Sequence, residues 1–378
     1  MQASKYKIFS FFSGSGLLDL GFESCGYDIV MVNEYFKPFI EAYQHARVKL
    51  GHKAPRFGYS NIDINEYLAG RKEELRGYVK QLHSEGSITG FIGGPPCPDF
   101  SVGGKNRGRD GGNGKLSKSY VDLIIDMKPG FFLFENVKGL WRTQRHREFF
   151  EELKTELHNA GYVTTERLVN ALEYGVPQDR DRILLFGVHS SLTRPEHYDK
   201  MLVKDFPWTS YVLHDLKAVK KAPWPGMDGF AEDGAYTKPE GIQESLTVEY
   251  WFNKNEVETH PNANDYFQPR NGLSKMQSIL EGDNLKKSYK RLHRWKYSPT
   301  AAYGNNEVHL HPYKARRISA AEALALQSLP KEFELPKDMS LSNKFKTIGN
   351  GVPFLLAKGI AKTMLDYLEE LYAEGNRV

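Results

Sequence analysis

The chain has 378 residues, 51 Lys+Arg against 47 Asp+Glu, and a formal net charge of +4. That length supports one large domain or two ordinary ones, and the near balance of charge excludes a globally basic nucleic-acid coat, so any basic footprint must be local. No signal-peptide pattern, bilayer-length apolar run or zinc-ligand spacing is present, and two cysteines, Cys25 and Cys97, exclude a disulfide framework, so the expectation is a soluble cytoplasmic protein with neither membrane nor metal partner.

In chain order, short apolar runs alternate with amphipathic stretches, the signature of strand and helix units around a parallel sheet. "YKIFSFF" predicts a strand and "GLLDLGFESCG" a helix closed at Gly26, in which Cys25 reads as packing. "DIVMVNEY" predicts a second strand, "KPFIEAYQHARVKLG" a helix, and "NEYLAGRKEELRGYVKQLHSEG" an exposed amphipathic helix. "ITGFIGG" predicts a third strand, "YVDLIIDMKPG" a helix and "FFLFENV" a fourth strand. After "RILLFGV", residues 182 to 188, the alternation stops. Residues 1–188 therefore predict a doubly wound, mostly parallel α/β domain. Residues 189–338, rich in Pro, Trp, Tyr, Asn and Lys, predict a smaller mixed or β-rich domain, or a set of long functional loops. In 339–378, "PFLLAKGIAKTMLDYLEELY" predicts a helix that returns to the first domain. In such a sheet the strand carboxyl ends face one crevice, where ligands bind. Those ends carry Ser13, Glu34 and Glu135, and Cys97 closely follows the third strand.

"GGPPCPDFS" surrounds Cys97 with residues ill suited to core packing. A lone cysteine ordinarily serves as a small buried hydrophobe. Here two prolines fix the backbone and two glycines let it turn and approach another group, a setting that suits a thiol held at a fixed angle. "FFSGSG" ends a strand and opens a helix, so a cofactor could approach its backbone. It lacks both the third glycine of the dinucleotide fingerprint and the Lys-Ser/Thr of a phosphate loop; an adenosine cofactor without a pyrophosphate needs neither. Glu34 stands where an acid accepts from two ribose hydroxyls, and Asp63 could bond an adenine amino group; each also reads as an ordinary loop acid. Glu135 directly follows four apolar residues, so ionisation is costly and the carboxyl should hold a proton; capping a turn is the plainer alternative. Gln178, Arg180 and Arg182 alternate into a strand, which puts two arginines on one face for an anionic partner or a salt-bridged edge.

The ordered set "FFSGSG", "NEYFKPFIEAYQHA", "NIDI", "GGPPCPDFS", "FENVKGL", "ALEYGVPQDRDR", "RRISAAEALALQSLP" and "GNGVP" resembles the DNA (cytosine-5) methyltransferases, over nearly the whole chain and in that family's order. The resemblance implies a Rossmann-like catalytic domain that uses S-adenosyl-L-methionine and yields S-adenosyl-L-homocysteine. It implies Cys97 as the nucleophile on carbon 6 of a cytosine flipped out of duplex DNA, Glu135 as the acid at the ring nitrogen and amine, Arg182 on the cytosine carbonyl and Arg180 in support. Phe12, Gly14, Gly16, Glu34, Tyr35, Asp63, Ile64, Leu116, Asn350 and Val352 match the cofactor pocket. Residues 189–338 correspond to the target-recognition domain of a restriction-modification enzyme, one that works as a monomer beside a separately encoded endonuclease in a bacterial nucleoid. Pro98 and Leu17 depart from the family's usual Gln and Gly.

"SVGGKNRGRDGGNGKLS", with Lys105, Arg107, Arg109 and Lys115, reads as a loop that closes over DNA or as a plain surface loop. The basic and aromatic interleaving of "LKKSYKRLHRWKYSPTAAYG" makes Lys290 and Arg294 candidate phosphate contacts. Two rivals stand beside the DNA enzyme: a methyltransferase of the same fold acting on transfer RNA, whose Cys-Phe-Thr signature is missing here, and a catalytically silent DNA-binding protein.

Overall fold

The computed structural model describes residues 4–96, 112–193, 205–286, 288–301, 303 and 307–375. Strands β1 (Tyr6–Phe11), β2 (Asp28–Asn33), β3 (Tyr59–Ser60), β4 (Ile88–Gly93), β5 (Phe131–Val137), β6 (Tyr162–Asn170) and β8 (Asp181–His189) form one sheet in the order β3-β2-β1-β4-β5-β8-β6. The pairs among the first five are parallel, and β8 runs antiparallel to both of its neighbours. Strands β1, β4 and β5 are buried along nearly their full length, because helices cover both faces of a parallel sheet. This is the α/β class expected from the sequence.

The reversed strand places the site. Because β8 enters the sheet against the grain, its first residues lie at the carboxyl ends of the parallel strands, where Arg182 pairs with Val137. Strand β6 was not anticipated. Its sequence YVTTERLVN carries polar residues along a half-covered edge, and its central positions are only partly buried.

Helices α1 (Leu17–Glu23), α2 (Lys37–Lys49), α3 (Lys72–Ser84), α4 (Gly112–Met127), α5 (Gly139–Arg142) and α6 (Gln144–Asn159) fill the first half. Helix α4 already runs through Lys115, which corrects the reading of that residue as loop; its carbonyl accepts from Ser119 Oγ at 3.0 Å.

Residues 205–338 take the mixed, loop-rich alternative of the expectation rather than the β-rich one. Their described part holds short helices at Leu216–Lys221, Val248–Lys254, Leu273–Gln277 and Ala320–Leu326, one two-residue strand, β9 (Ser298–Pro299), and isolated bridges. Buried polar side chains do the work of sheet ladders there. Asn255 donates to Leu329 O at 2.8 Å, Asn262 to Leu335 O at 3.0 Å and Arg317 to Val308 O at 2.7 Å. The core is shared with the first half: Leu17, Leu20, Ala42 and Ala46 cluster with Val248, Trp251, Leu292 and Leu324. Strand β9 pairs in parallel with β7 (Gln178–Asp179), just before β8.

The terminal helix Phe354–Gly375 packs along α1. Contact is close enough that a Cβ on Gly21 would sit 2.5 Å from Ala357 Cβ and 2.7 Å from Lys358 N. Alanine ordinarily improves a helix by about 1 kcal/mol over glycine. Gly21→Ala should instead lower stability by about 1–3 kcal/mol, the usual result of overpacking. Urea unfolding measures this, and an unchanged or raised midpoint would contradict the packing described.

Candidate active site

At the carboxyl edge, Arg182 Nε lies 2.6 Å from Glu135 Oε1, and both side chains are 9% exposed. The strand register explains the contact. Glu135 faces Leu184 across the ladder, so Arg182, two residues before Leu184, is its diagonal neighbour on the same face. Burial raises the Glu135 carboxyl above the ordinary range, while the charges of Arg182 and then Arg180 pull it back. On its other side the carboxylate meets Gly94, where a Cβ would stand 2.5 Å from Glu135 Oε2. The two glycines of "GGPPC" thus have separate physical reasons: a side chain on Gly94 would crowd the acid, and a Cβ on Gly93 would stand 2.9 Å from the Tyr120 ring. Cys97, three residues further on, lies outside the described residues.

Arg180, expected in support of Arg182, makes its contacts with the backbone around the sheet edge. It lies between β7 and β8, fully buried, and spends its guanidinium on Ala301 O at 3.2 Å, Gly349 O at 2.7 Å, Gly351 O at 3.0 Å and Gln178 Oε1 at 3.3 Å. Gln178 in turn donates to Leu326 O. Arg180 is therefore a positioning residue that ties residues 301 and 349–351 to the sheet edge, rather than a group aimed at a substrate.

The glycine-rich turn after β1 forms a second wall. Phe12 adopts φ 52°, rare for a bulky side chain and costly by about 1–3 kcal/mol, with its ring edge-on to Tyr120 at 6.1 Å. Among the described residues a Cβ on Gly14 would meet only Thr347 Oγ1, at 3.8 Å, so these residues leave space above the turn. Glu34 spans the turn: Oε2 accepts from Gly14 N at 2.9 Å and Oε1 from Phe36 N at 2.8 Å. Burial raises its carboxyl, and those two N–H groups oppose the rise. Asp63 caps the short helix Ile64–Leu68, with Oδ1 accepting from Asn65 N at 2.9 Å and Asn65 Nδ2 at 2.7 Å. Ile64 and Val352 are buried, Leu116 is half-buried on α4, and Tyr35 and Asn350 are exposed.

Sequence reading missed the support beneath this turn. Arg47 Nη2 donates to Gly16 O at 2.7 Å, its Nε lies 2.7 Å from Glu23 Oε2, and its guanidinium stacks 4.3 Å from the Tyr43 ring centroid. Asp19 accepts from Ser10 Oγ at 2.8 Å and from Tyr43 Oη at 3.0 Å. A Cβ on Gly16, whose φ is 81°, would strike the Tyr43 ring at 2.4 Å. The only available signal was the four-residue spacing of Tyr43 and Arg47, which puts them on one helix face without revealing what lies opposite.

Lys105, Arg107 and Arg109 lie outside the described residues. Lys290 is half-buried, its carbonyl accepting from Leu310 N at 2.8 Å. Arg294 corrects the expectation of a phosphate contact: it is 5% exposed, with Nε and Nη2 each 2.9 Å from the buried Glu281 carboxylate. Basic and aromatic interleaving fits a phosphate surface and a buried cation network equally well, and the fold chose the latter.

Comparison with known proteins bears on the family and the fold. The family described as C-5 cytosine-specific DNA methylase matches residues 6–366. The chain is 58% identical over 98% of its length to Type II methyltransferase M.NmeDI of Neisseria meningitidis serogroup C, covering 86% of that protein. It is 30% identical to Type II methyltransferase M.FnuDI of Fusobacterium nucleatum, over 95% of each chain. Among solved structures, a prophage-encoded E. coli protein described as a DNA modification methyltransferase shares the fold, with a TM-score of 0.65 at 22% identity, covering 96% of this chain and 99% of that one.

The cluster under the turn has a pH signature. Burial pushes the Asp19 carboxyl up to about 6 against the pull of Arg47, the bonds from Ser10 and Tyr43 also lowering it and Glu23 raising it. A folded value above the unfolded one means the folded state holds more protons. Stability from this group is complete below about pH 4 and is lost as the pH rises through 6. Asp19→Asn cannot ionise, so relative to it the wild type should lose on the order of 2–3 kcal/mol between pH 4 and 7. Denaturant titrations of both proteins across that range test this; a stability difference that does not vary with pH would contradict it.

Proposed function

We propose, from the premise that this chain belongs to the C-5 cytosine-specific DNA methylase family and is a DNA (cytosine-5) methyltransferase, that it methylates carbon 5 of one flipped cytosine in a short fixed sequence of duplex DNA through a covalent adduct to Cys97. The observation that carries this reading is the buried Glu135–Arg182 pair set against Gly94, at the head of the run that contains Cys97.

In this reading the Cys97 thiolate adds to carbon 6 of the ring. An ordinary thiol near pKa 8.5 is only a few per cent thiolate at neutral pH, so the site must raise that fraction. Glu135 supplies a proton at the ring nitrogen and so takes up the negative charge that addition creates. Its burial favours the protonated acid that this needs. Arg182 is its strongest opposing charge, so if the arginine turns to the cytosine carbonyl, the acid rises further as the base arrives. Addition leaves carbon 5 electron-rich. After methylation that carbon gives up its proton to water, the thiolate departs, the ring nitrogen returns its proton to the Glu135 carboxylate and 5-methylcytosine remains. Extrusion of the nucleotide is required because the attacked atom is otherwise inside the base stack.

The residues at the glycine-rich turn fit an adenosine cofactor: the described residues leave space above Gly14, and Glu34 presents a carboxylate beside it. S-adenosyl-L-methionine, when bound, supplies an electrophilic methyl group on its sulfonium and leaves as S-adenosyl-L-homocysteine. Glu34 would hold the ribose and Asp63 the adenine amine. Tyr35, Phe12, Ile64, Leu116 and Val352 would enclose the cofactor, with Gly14, Gly16 and Asn350 at its margin. The two curated relatives carry the name Type II methyltransferase, which supports a place in a restriction-modification system beside a separately encoded endonuclease. Among the described residues no helix is long and apolar enough to cross a membrane, in keeping with an enzyme at work on the nucleoid.

Offered duplex DNA and total transfer RNA with labelled cofactor, the enzyme should label the duplex, at one cytosine per recognised sequence; label mainly in RNA would move the assignment to the transfer-RNA enzymes. Glu135→Gln should retain cofactor binding by calorimetry yet turn over about a hundredfold or more slowly, the scale of one lost acid catalyst. Near wild-type turnover would remove Glu135 from the chemistry.

A further inference from the structure

Eight large hydrophobic residues are exposed among the described residues, and four of them fall on two neighbouring strips: Met227 at 42%, Leu273 at 42%, Leu280 at 41% and Leu285 at 80%. An antiparallel bridge between Asp228 and Glu281 holds the strips together. The turn between Leu280 and Leu285 requires Gly282, with φ 85°, because a Cβ there would lie 2.5 Å from Gly226 O. Scattered exposed leucines need no explanation, whereas a cluster marks an interaction surface.

Two buried arginines fasten the arm from below. Arg291, fully buried, donates to Ile279 O at 2.9 Å, to Lys314 O at 3.1 Å and to Met276 O and His311 O, and lies 4.0 Å from the Phe230 ring centroid. Arg294 grips both oxygens of Glu281. Burying two cations is costly, and here it fixes the underside of a segment whose outer side is wet and apolar. That outer side is also basic. Lys275 and Lys286 are exposed, whereas Glu281 is buried under Arg294 and Asp283 is half-buried, its Oδ1 accepting from Leu285 N at 3.2 Å. The segment after Arg294 runs directly to Ser298–Pro299, which pairs with Gln178–Asp179 at the catalytic edge.

We infer that the arm Leu273–Lys286 is the element of this chain that enters a groove of the duplex, with Leu285 against base edges and Lys275 and Lys286 on the phosphates. The inference rests on the DNA reading above and assigns a surface within it. Cations beside rigidly held apolar side chains match a duplex, which offers phosphates along the backbone and methyl and ring edges between them. The basic side of the sequence segment at 286–296 is thus divided: Lys286 is exposed, and Arg291 and Arg294 are the anchors.

The test uses full-length wild type, Leu285→Ser, the double variant Lys275→Ala/Lys286→Ala, and Leu213→Ser as a control at an exposed leucine elsewhere. Each is first shown to unfold at the wild-type midpoint. Bisulfite sequencing of DNA from expressing cells then gives the methylated sequence for each, and titrations at several salt concentrations give the affinity. Leu285→Ser should lower discrimination at one base position about tenfold, the scale of one lost edge contact. The double lysine variant should keep its sequence preference and flatten the log-log salt slope by about one to two units. The control should match wild type. Variants indistinguishable from an active wild type in both sequence and slope overturn the inference and leave the DNA reading standing; a wild type that methylates no duplex overturns that reading and this one with it. Altered self-association by sedimentation, with DNA binding unchanged, would assign the arm to a second copy of the chain instead.

Discussion

A carboxylate and a guanidinium buried together at the open edge of a sheet set the terms for everything around them. Glu135 and Arg182 meet because β8 runs against its neighbours, which brings its amino end to the place where β5 ends. Each charge alone would be costly there; paired, they are held without neutralising the acid's tendency to keep a proton. Gly94 leaves no room for a side chain beside the acid, and Arg180 ties residues 301 and 349–351 to the same sheet edge. The reversed strand is therefore a functional feature of the topology as well as a structural one.

The glycine-rich turn shows the same economy at the other wall. A strained Phe12 and two glycines at positive φ shape a main chain above which the described residues leave space. Glu34 bonds the outer side of the turn, and Arg47 bonds its carbonyl at Gly16 from beneath. Asp19, Tyr43 and Glu23 complete the support, so that a loop expected to admit a ligand is held by the core rather than by the ligand.

Much of this was legible in the sequence. Strands β1, β2, β4 and β5 announced themselves as short, predominantly apolar runs, because strands covered on both faces have little polar side to show. Glu135 stood out because a charged residue directly after "FFLF" is expensive to bury without a purpose. The failures have equally physical causes. Strand β6 reads as a mixed segment because its edge position leaves its middle half-wet. The second half was left open between a mixed fold, a β-rich one and long loops, because composition cannot tell whether a backbone group will be met by another strand or, as here, by buried Asn, His and Arg side chains. Arg294 failed for the same reason, its partner Glu281 lying 13 residues away. Asp19 and Arg47 sit on different helices, and nothing local forecasts their meeting.

The account depends most on a thiol at Cys97 doing covalent work beside the Glu135 acid. Duplex DNA carrying 5-fluorocytosine blocks the final proton loss, so an enzyme of this kind should become trapped on it in the presence of cofactor. Denaturing electrophoresis followed by peptide mapping of the trapped complex is the most direct measurement. The account predicts a single attachment at Cys97, no complex from Cys97→Ser and an undiminished one from Cys25→Ser. Attachment at Cys25, or trapping by Cys97→Ser at the wild-type level, would contradict it.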